Sequence, residues 1–147
     1  MSAITVLIAD KHRLFRRSLR QLCEINGGFR VVAEATSAAE LVALAAQLHP
    51  DAVLADMQLA ELDGAETTRL LLAEQPDLIT ILLAFAWEED TLEQARRSGA
   101  RAWLAKDCAE AALFAAIRTG QFPEQEASPV SSMRLTDPFS PQIVQFM

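Results

Sequence analysis

Five times along this chain a short apolar run gives way to a longer amphipathic stretch, and no other feature constrains its fold as tightly. The apolar runs, about Ile4–Ala9, Phe29–Ala35, Ala52–Ala55, Ile79–Ala84 and Ala102–Leu104, read as strands buried on both faces. The stretches between them, about Arg13–Asn26, Ala38–Leu48, Gly64–Glu74, Glu88–Ser98 and Ala109–Thr119, carry helical spacing. Strands alternating with helices in this way predict βαβ units and a single parallel sheet. Gly27-Gly28, His49-Pro50, Pro76-Asp77 and Ser98-Gly99 fall where helices should stop. Thr36-Ser37 followed by Glu40 is a capping-box signature for the start of the second helix.

Right-handed crossovers leave few topologies for five such units, and the commonest is the doubly wound, flavodoxin-like α/β sheet. Its switch point lies beside the first strand, so strands one and three should be neighbours. Three runs deliver a charged residue at their carboxyl end: Asp10 after strand one, Asp56 after strand three and Lys106 after strand five. Ligands and chemistry gather at that edge of a parallel sheet, and a carboxylate pair facing a lysine there reads as a phosphoryl site.

A chain of 147 residues has the size of one domain plus a tail. The expected division is a domain over residues 1–120 and a linker or disordered tail over 121–147, where four of the six prolines fall and no periodicity persists. No run approaches the length of a membrane span, no signal-like segment opens the chain, and Cys23 and Cys108 fit no metal spacing. A reduced, cytoplasmic setting is the expectation. A net charge of −7 argues against direct binding to nucleic acid or anionic membrane.

Over about Ile4–Gly120 the chain resembles the receiver domain of two-component response regulators, and more narrowly the LuxR-type (NarL/FixJ) branch. The residues that carry the resemblance are Val6-Leu-Ile-Ala-Asp-Lys-His12, Val31-Val-Ala-Glu-Ala35, Pro50-Asp-Ala-Val-Leu-Ala-Asp56, Leu62-Asp-Gly64, Gly99-Ala-Arg-Ala-Trp-Leu-Ala-Lys-Asp107 and Ala116-Ile-Arg118. The resemblance implies a CheY-like (βα)5 fold and a regulatory role in a phosphorelay, not an enzyme. It puts Asp56 at the phosphoacceptor position, Asp10 at the first of two acids that place Mg²⁺, and Lys106 at the lysine that meets the phosphoryl oxygens. It also implies protein partners, a histidine kinase or a second copy of the domain. The branch normally carries a helix-turn-helix after the linker, and Met133-Arg-Leu-Thr136 resembles its lead-in. The chain is therefore expected to be either a stand-alone receiver or a piece of a transcription regulator whose DNA-binding domain it lacks.

Departures from that pattern bear on mechanism. The second acid is Lys11, the strand-four hydroxyl position is Ala84, the usual proline after the acceptor is Ala60, and the aromatic switch position of strand five is Trp103. Three carboxylates and one lysine carry two net negative charges and attract a divalent cation. Asp10, Asp56, Lys11 and Lys106 balance to zero. At roughly 4 Å and an effective dielectric near 20, each unit-charge pair is worth about 4 kcal/mol before desolvation, enough to abolish useful magnesium affinity. Lys11 is expected to fill the metal's space and pair with Asp56 or Asp10. No cofactor is then expected, with Mg²⁺ on Asp10 and Asp56 only if the site functions, and the domain is expected to act through protein contacts independently of phosphate.

Helix one carries Arg13, Arg16, Arg17 and Arg20 on one face, with Phe15, Leu19, Leu22 and Ile25 opposite. The arginine stripe reads as a solvated face or as a docking surface for an acidic partner. Trp103 and Trp87 read as packing residues that could also border a partner surface around helix four and strand five. His12, a lone histidine, is not read as a metal ligand.

Overall fold

A computed structural model describes residues 3–123. The chain runs β1 (Ile4–Ala9), α1 (Arg13–Asn26), β2 (Phe29–Ala35), α2 (Ala38–Leu48), β3 (Ala52–Asp56), α3 (Gly64–Glu74), β4 (Ile79–Ala84), α4 (Glu89–Ser98), β5 (Ala102–Ala105) and α5 (Glu110–Thr119). The ten expected elements are all present, with bounds that differ by a residue at β3, α4, β5 and α5. All five strands are parallel in the order β2-β1-β3-β4-β5, the flavodoxin-like arrangement expected from the alternation.

Both faces of the sheet are covered, which is why the inner strands β1, β3 and β4 are almost wholly apolar, whereas the edge strand β2 also carries Arg30 and Glu34. Successive side chains of β1 point to opposite sides: Leu7 and Ala9 join Leu41 and Ala45 of α2, Leu71 of α3 and Ala95 of α4. Val6 and Ile8 join Leu19 and Cys23 of α1 and Leu113, Phe114 and Ile117 of α5. At the head of α2, Ser37 caps the helix by accepting from the Glu40 N–H, and Glu40 Oε1 returns to the Thr36 N–H at 2.8 Å.

The apolar stripe of α1 differs from expectation in one place. Ile25 is exposed, and Cys23 takes the buried position one turn after Leu19. Ile25 lies in the last turn, where α1 has begun to run past the edge of the core before Gly27 and Gly28, both at positive φ, turn the chain into β2. Trp87 also proves to be core: its ring is 2% exposed and its indole Nε1–H donates to the Leu104 carbonyl at 3.0 Å, so it borders no free surface. Trp103 is half-buried and meets the Phe122 ring edge-on at 5.0 Å. Of the segment expected as a tail, 121–123 are described; 124–147, including Met133–Thr136, lie outside the described residues. No helix among the described residues is long and apolar enough to cross a membrane.

Candidate functional site

Asp10 and Asp56 leave the sheet at the carboxyl ends of the neighbouring strands β1 and β3, and both are almost wholly buried. Each turns the chain in the same way. Asp10 Oδ1 accepts the His12 N–H at 2.8 Å, and Asp56 Oδ1 accepts the Gln58 N–H at 3.0 Å, the turn in which a carboxylate takes the backbone N–H two residues on. One oxygen of each acid is thus spent on its own loop, and the other faces the pocket.

Lys106 reaches those oxygens from the end of β5, two strands from β3 and three from β1. Its backbone N–H is fixed to the Ala84 carbonyl at 2.8 Å, continuing the β4–β5 ladder by one step. Ladder spacing puts β5 about 10 Å from β3, a gap that only a long side chain bridges. The ammonium arrives 2.7 Å from Asp10 Oδ2 and 3.3 Å from Asp56 Oδ2. Two rings flank it, Phe15 at 4.5 Å and Phe85 at 4.6 Å, so the charge is held between carboxylates and aromatic faces. One positive charge serves two negative ones. Burial, with the charge of Asp10 adding to it, pushes the Asp56 carboxyl above the ordinary carboxylate range despite the Gln58 N–H and Lys106, which act the other way.

Lys11 does not enter this pocket, contrary to the expectation that it fills the metal's space. Its side chain is exposed and forms no ion pair among the described residues. The Asp10 turn decides this, because it brings residue 12 over the pocket and sends residue 11 outward. His12 takes the inward place: Nδ1 lies 3.0 Å from Asp10 Oδ1, 3.6 Å from Asp56 Oδ2 and 3.4 Å from the Lys106 ammonium. The dismissal of His12 as a lone histidine is thereby corrected. Its neighbours in the pocket come from a strand end 44 residues downstream and a lysine 94 residues downstream, and no local spacing signals them.

Ala84 ends β4 beside the pocket and offers only a methyl group. Trp103, the other expected switch position, faces Phe122 and the core layer of α2–α4. Behind the acceptor, Gly64 is required by close approach: a Cβ there would lie 2.7 Å from the Asp56 carbonyl oxygen and 2.9 Å from Leu82.

The arginine stripe divides. Arg16 and Arg20 turn back to Glu34 on β2, at 2.8 Å and 2.6 Å, and Arg16 also donates to the Asp10 carbonyl at 2.8 Å. These two are ties between α1 and the sheet, which corrects the expectation that all four arginines form one solvated or docking face. Arg13 and Arg17 remain exposed, with no ion pair among the described residues.

The chain matches the family model described as response regulator receiver domain over residues 6–118. It is 34% identical over 115 residues to the nitrate/nitrite response regulator protein NarP of Escherichia coli (strain K12), covering 78% of this chain and 54% of that protein. It is 29% identical to the transcriptional regulatory protein DegU of Brevibacillus brevis, covering 78% of this chain and 49% of that protein. The chain spans about half the length of these curated relatives. Among solved structures it is similar to a two-component response regulator of the LuxR family from Aurantimonas sp. SI85-9A1, with a TM-score of 0.79, 26% identity, and coverage of 90% of this chain and 99% of the other.

A magnesium ion, which such a pocket implies, finds a poor donor set here. Mg²⁺ demands oxygen ligands in near-octahedral geometry. The position of the second acid faces solvent as Lys11, the third inward donor is an imidazole nitrogen, and an ammonium already occupies the free oxygens.

Proposed function

This chain belongs to the response regulator receiver domain family, and we propose that it is an atypical receiver that regulates through protein contacts, with little phosphorylation of Asp56. It is a regulatory receiver domain of a two-component system. The observation that carries the finer reading is the occupancy of the pocket: the Lys106 ammonium lies against both acids, Lys11 faces solvent, and Ala84 has no hydroxyl. Phosphoryl transfer to a carboxylate is mostly positioning and charge neutralisation. A pocket with two acids instead of three and no hydroxyl at the end of β4 has lost part of both. Partners in this reading are a second receiver, a histidine kinase, or an output domain of the kind carried by relatives twice as long. The exposed residues Arg13, Arg17 and Leu14 of α1 offer such a partner a basic face with an apolar side chain in it.

One feature favours the rival reading of a working phosphoacceptor. Asp56 Oδ2 faces the pocket 3.3 Å from the lysine that would neutralise an incoming phosphoryl group. Incubation with Mg²⁺ and acetyl phosphate, followed by intact-mass measurement, separates the two. We expect the mass to stay largely unchanged. Stoichiometric gain of one phosphoryl group, lost in Asp56→Asn, establishes the rival.

A further inference from the structure

Among the described residues, the Lys106 ammonium lies against Asp10, Asp56, His12, Phe15 and Phe85. Both acids are buried and Phe15 is half-buried, so of these side chains only His12 and Phe85 are exposed to solvent. We propose that Phe85 is a side-chain lid over Lys106, a positioning residue that screens the ammonium from solvent and holds it on its two acids.

Phe85 is 65% exposed, yet its ring lies 4.6 Å from an ammonium whose own side chain is 1% exposed. A lone exposed phenylalanine is ordinary on a protein surface. One stacked over a buried charge is not, because the ring face attracts the cation and the attraction grows as water is excluded. The same ring meets Phe15 edge-on at 6.0 Å and His12 edge-on at 5.8 Å, contacts that orient it.

The two rings that flank the ammonium are anchored differently. Phe15 packs from α1 against the core layer of α1 and α5, so its place is set by the helix. Phe85 follows the last residue of β4, and the backbone is pinned on either side of it. The Ala84 carbonyl accepts the Lys106 N–H at 2.8 Å, and the buried indole of Trp87 donates to the Leu104 carbonyl at 3.0 Å. The loop is thereby fixed, and the ring opens by rotation about its own side-chain bonds, the fast motion of exposed side chains. His12 is less free to move, since Asp10 Oδ1 holds its backbone N–H at 2.8 Å and its Nδ1 at 3.0 Å. An anion that comes to Lys106 from solvent displaces the Phe85 ring and gives up its attraction for the cation.

The lid does not depend on whether Asp56 is phosphorylated, and its test uses no phosphodonor, so either reading of the pocket can fail without it. The chain has two lysines, Lys106 under the lid and Lys11 in solvent, and the second is an internal control. The full 147-residue protein is treated with limiting N-hydroxysuccinimide acetate at one pH, and acetylation of each lysine is followed by peptide mass mapping. In wild type, Lys11 should react much faster than Lys106. Phe85→Ala should speed Lys106 by about tenfold or more, through lost cover and lost attraction, with Lys11 and the melting temperature unchanged. Phe85→Leu keeps the bulk without the ring face and should speed Lys106 by about threefold; it carries the test if the alanine variant melts early. Phe85→Tyr restores the ring and should return the slow wild-type rate. Lys106 reacting as fast as Lys11 in wild type overturns the proposal. So does a Lys106 rate that neither Phe85→Ala nor Phe85→Leu raises.

Discussion

Glu34 and Asp56 are both carboxylates next to basic side chains, yet the protein treats them in opposite ways. Glu34 lies at the side of the sandwich, and against the desolvation that raises its pKa, hydrogen bonds from Arg20 and Arg16 hold it below the usual carboxylate range. Asp56 lies at the mouth of the sheet with half a share of one ammonium, and burial pushes it up. Two guanidinium groups on one acid make a fastener. One ammonium on two acids makes a site whose charge is under-compensated, and such sites are where ions and reactive groups bind.

The largest expected effect is at the shared cation. Lys106→Met leaves Asp10 and Asp56 buried beside one another without a counter-charge, and breaking a buried pair in this way costs about 3–5 kcal/mol. Urea denaturation at neutral pH measures it; a loss below 1 kcal/mol would mean that the acids are better hydrated than their burial implies. At the other corner, Glu34→Ala releases Arg16 and Arg20, which are partly exposed and can turn to water. A loss of about 1–2 kcal/mol is expected.

The smallest effect has the opposite sign. Asp56→Asn should raise the melting temperature at neutral pH, because the charged form of a group whose folded pKa is raised is disfavoured by folding. The stability linked to such a group is present below its unfolded pKa, near 3.9, and is lost as pH rises through the folded value. The advantage of the asparagine variant should therefore shrink on acidification. Glu34 runs the other way: its contribution is present above its unfolded pKa and fades as pH falls through the lowered folded one. Melting curves of Asp56→Asn and Glu34→Ala from pH 3.5 to 7.5 should thus diverge from wild type in opposite directions as pH rises. Parallel curves would erase the contrast between the two corners.

The ends of β1, β3 and β5 were readable from sequence because strands buried on both faces are unbroken apolar runs, and a charged residue marks where each of these runs stops. Asp10, Asp56 and Lys106 each mark that point, and the doubly wound order then makes them neighbours. Side-chain direction one residue later was not readable. Whether Lys11 or His12 faces the pocket depends on Asp10 accepting the His12 N–H, a choice between loop conformations that the local sequence leaves open.

The arginines of α1 teach the same lesson from the helix side. Their spacing establishes a shared face, which is a property of helical geometry alone. What that face meets is set by β2, where the alternation of the strand puts Glu34 within reach of Arg16 and Arg20 but leaves Arg13 and Arg17 in solvent. The amino-acid sequence by itself determined the five βα units, their order and the three charged residues at the sheet's edge, because periodicity and run length act over a few neighbouring residues. Only the tertiary structure decided that one lysine serves two acids and that a histidine closes the pocket, since those contacts join residues up to 96 positions apart whose distances are set by the packing of the whole sheet.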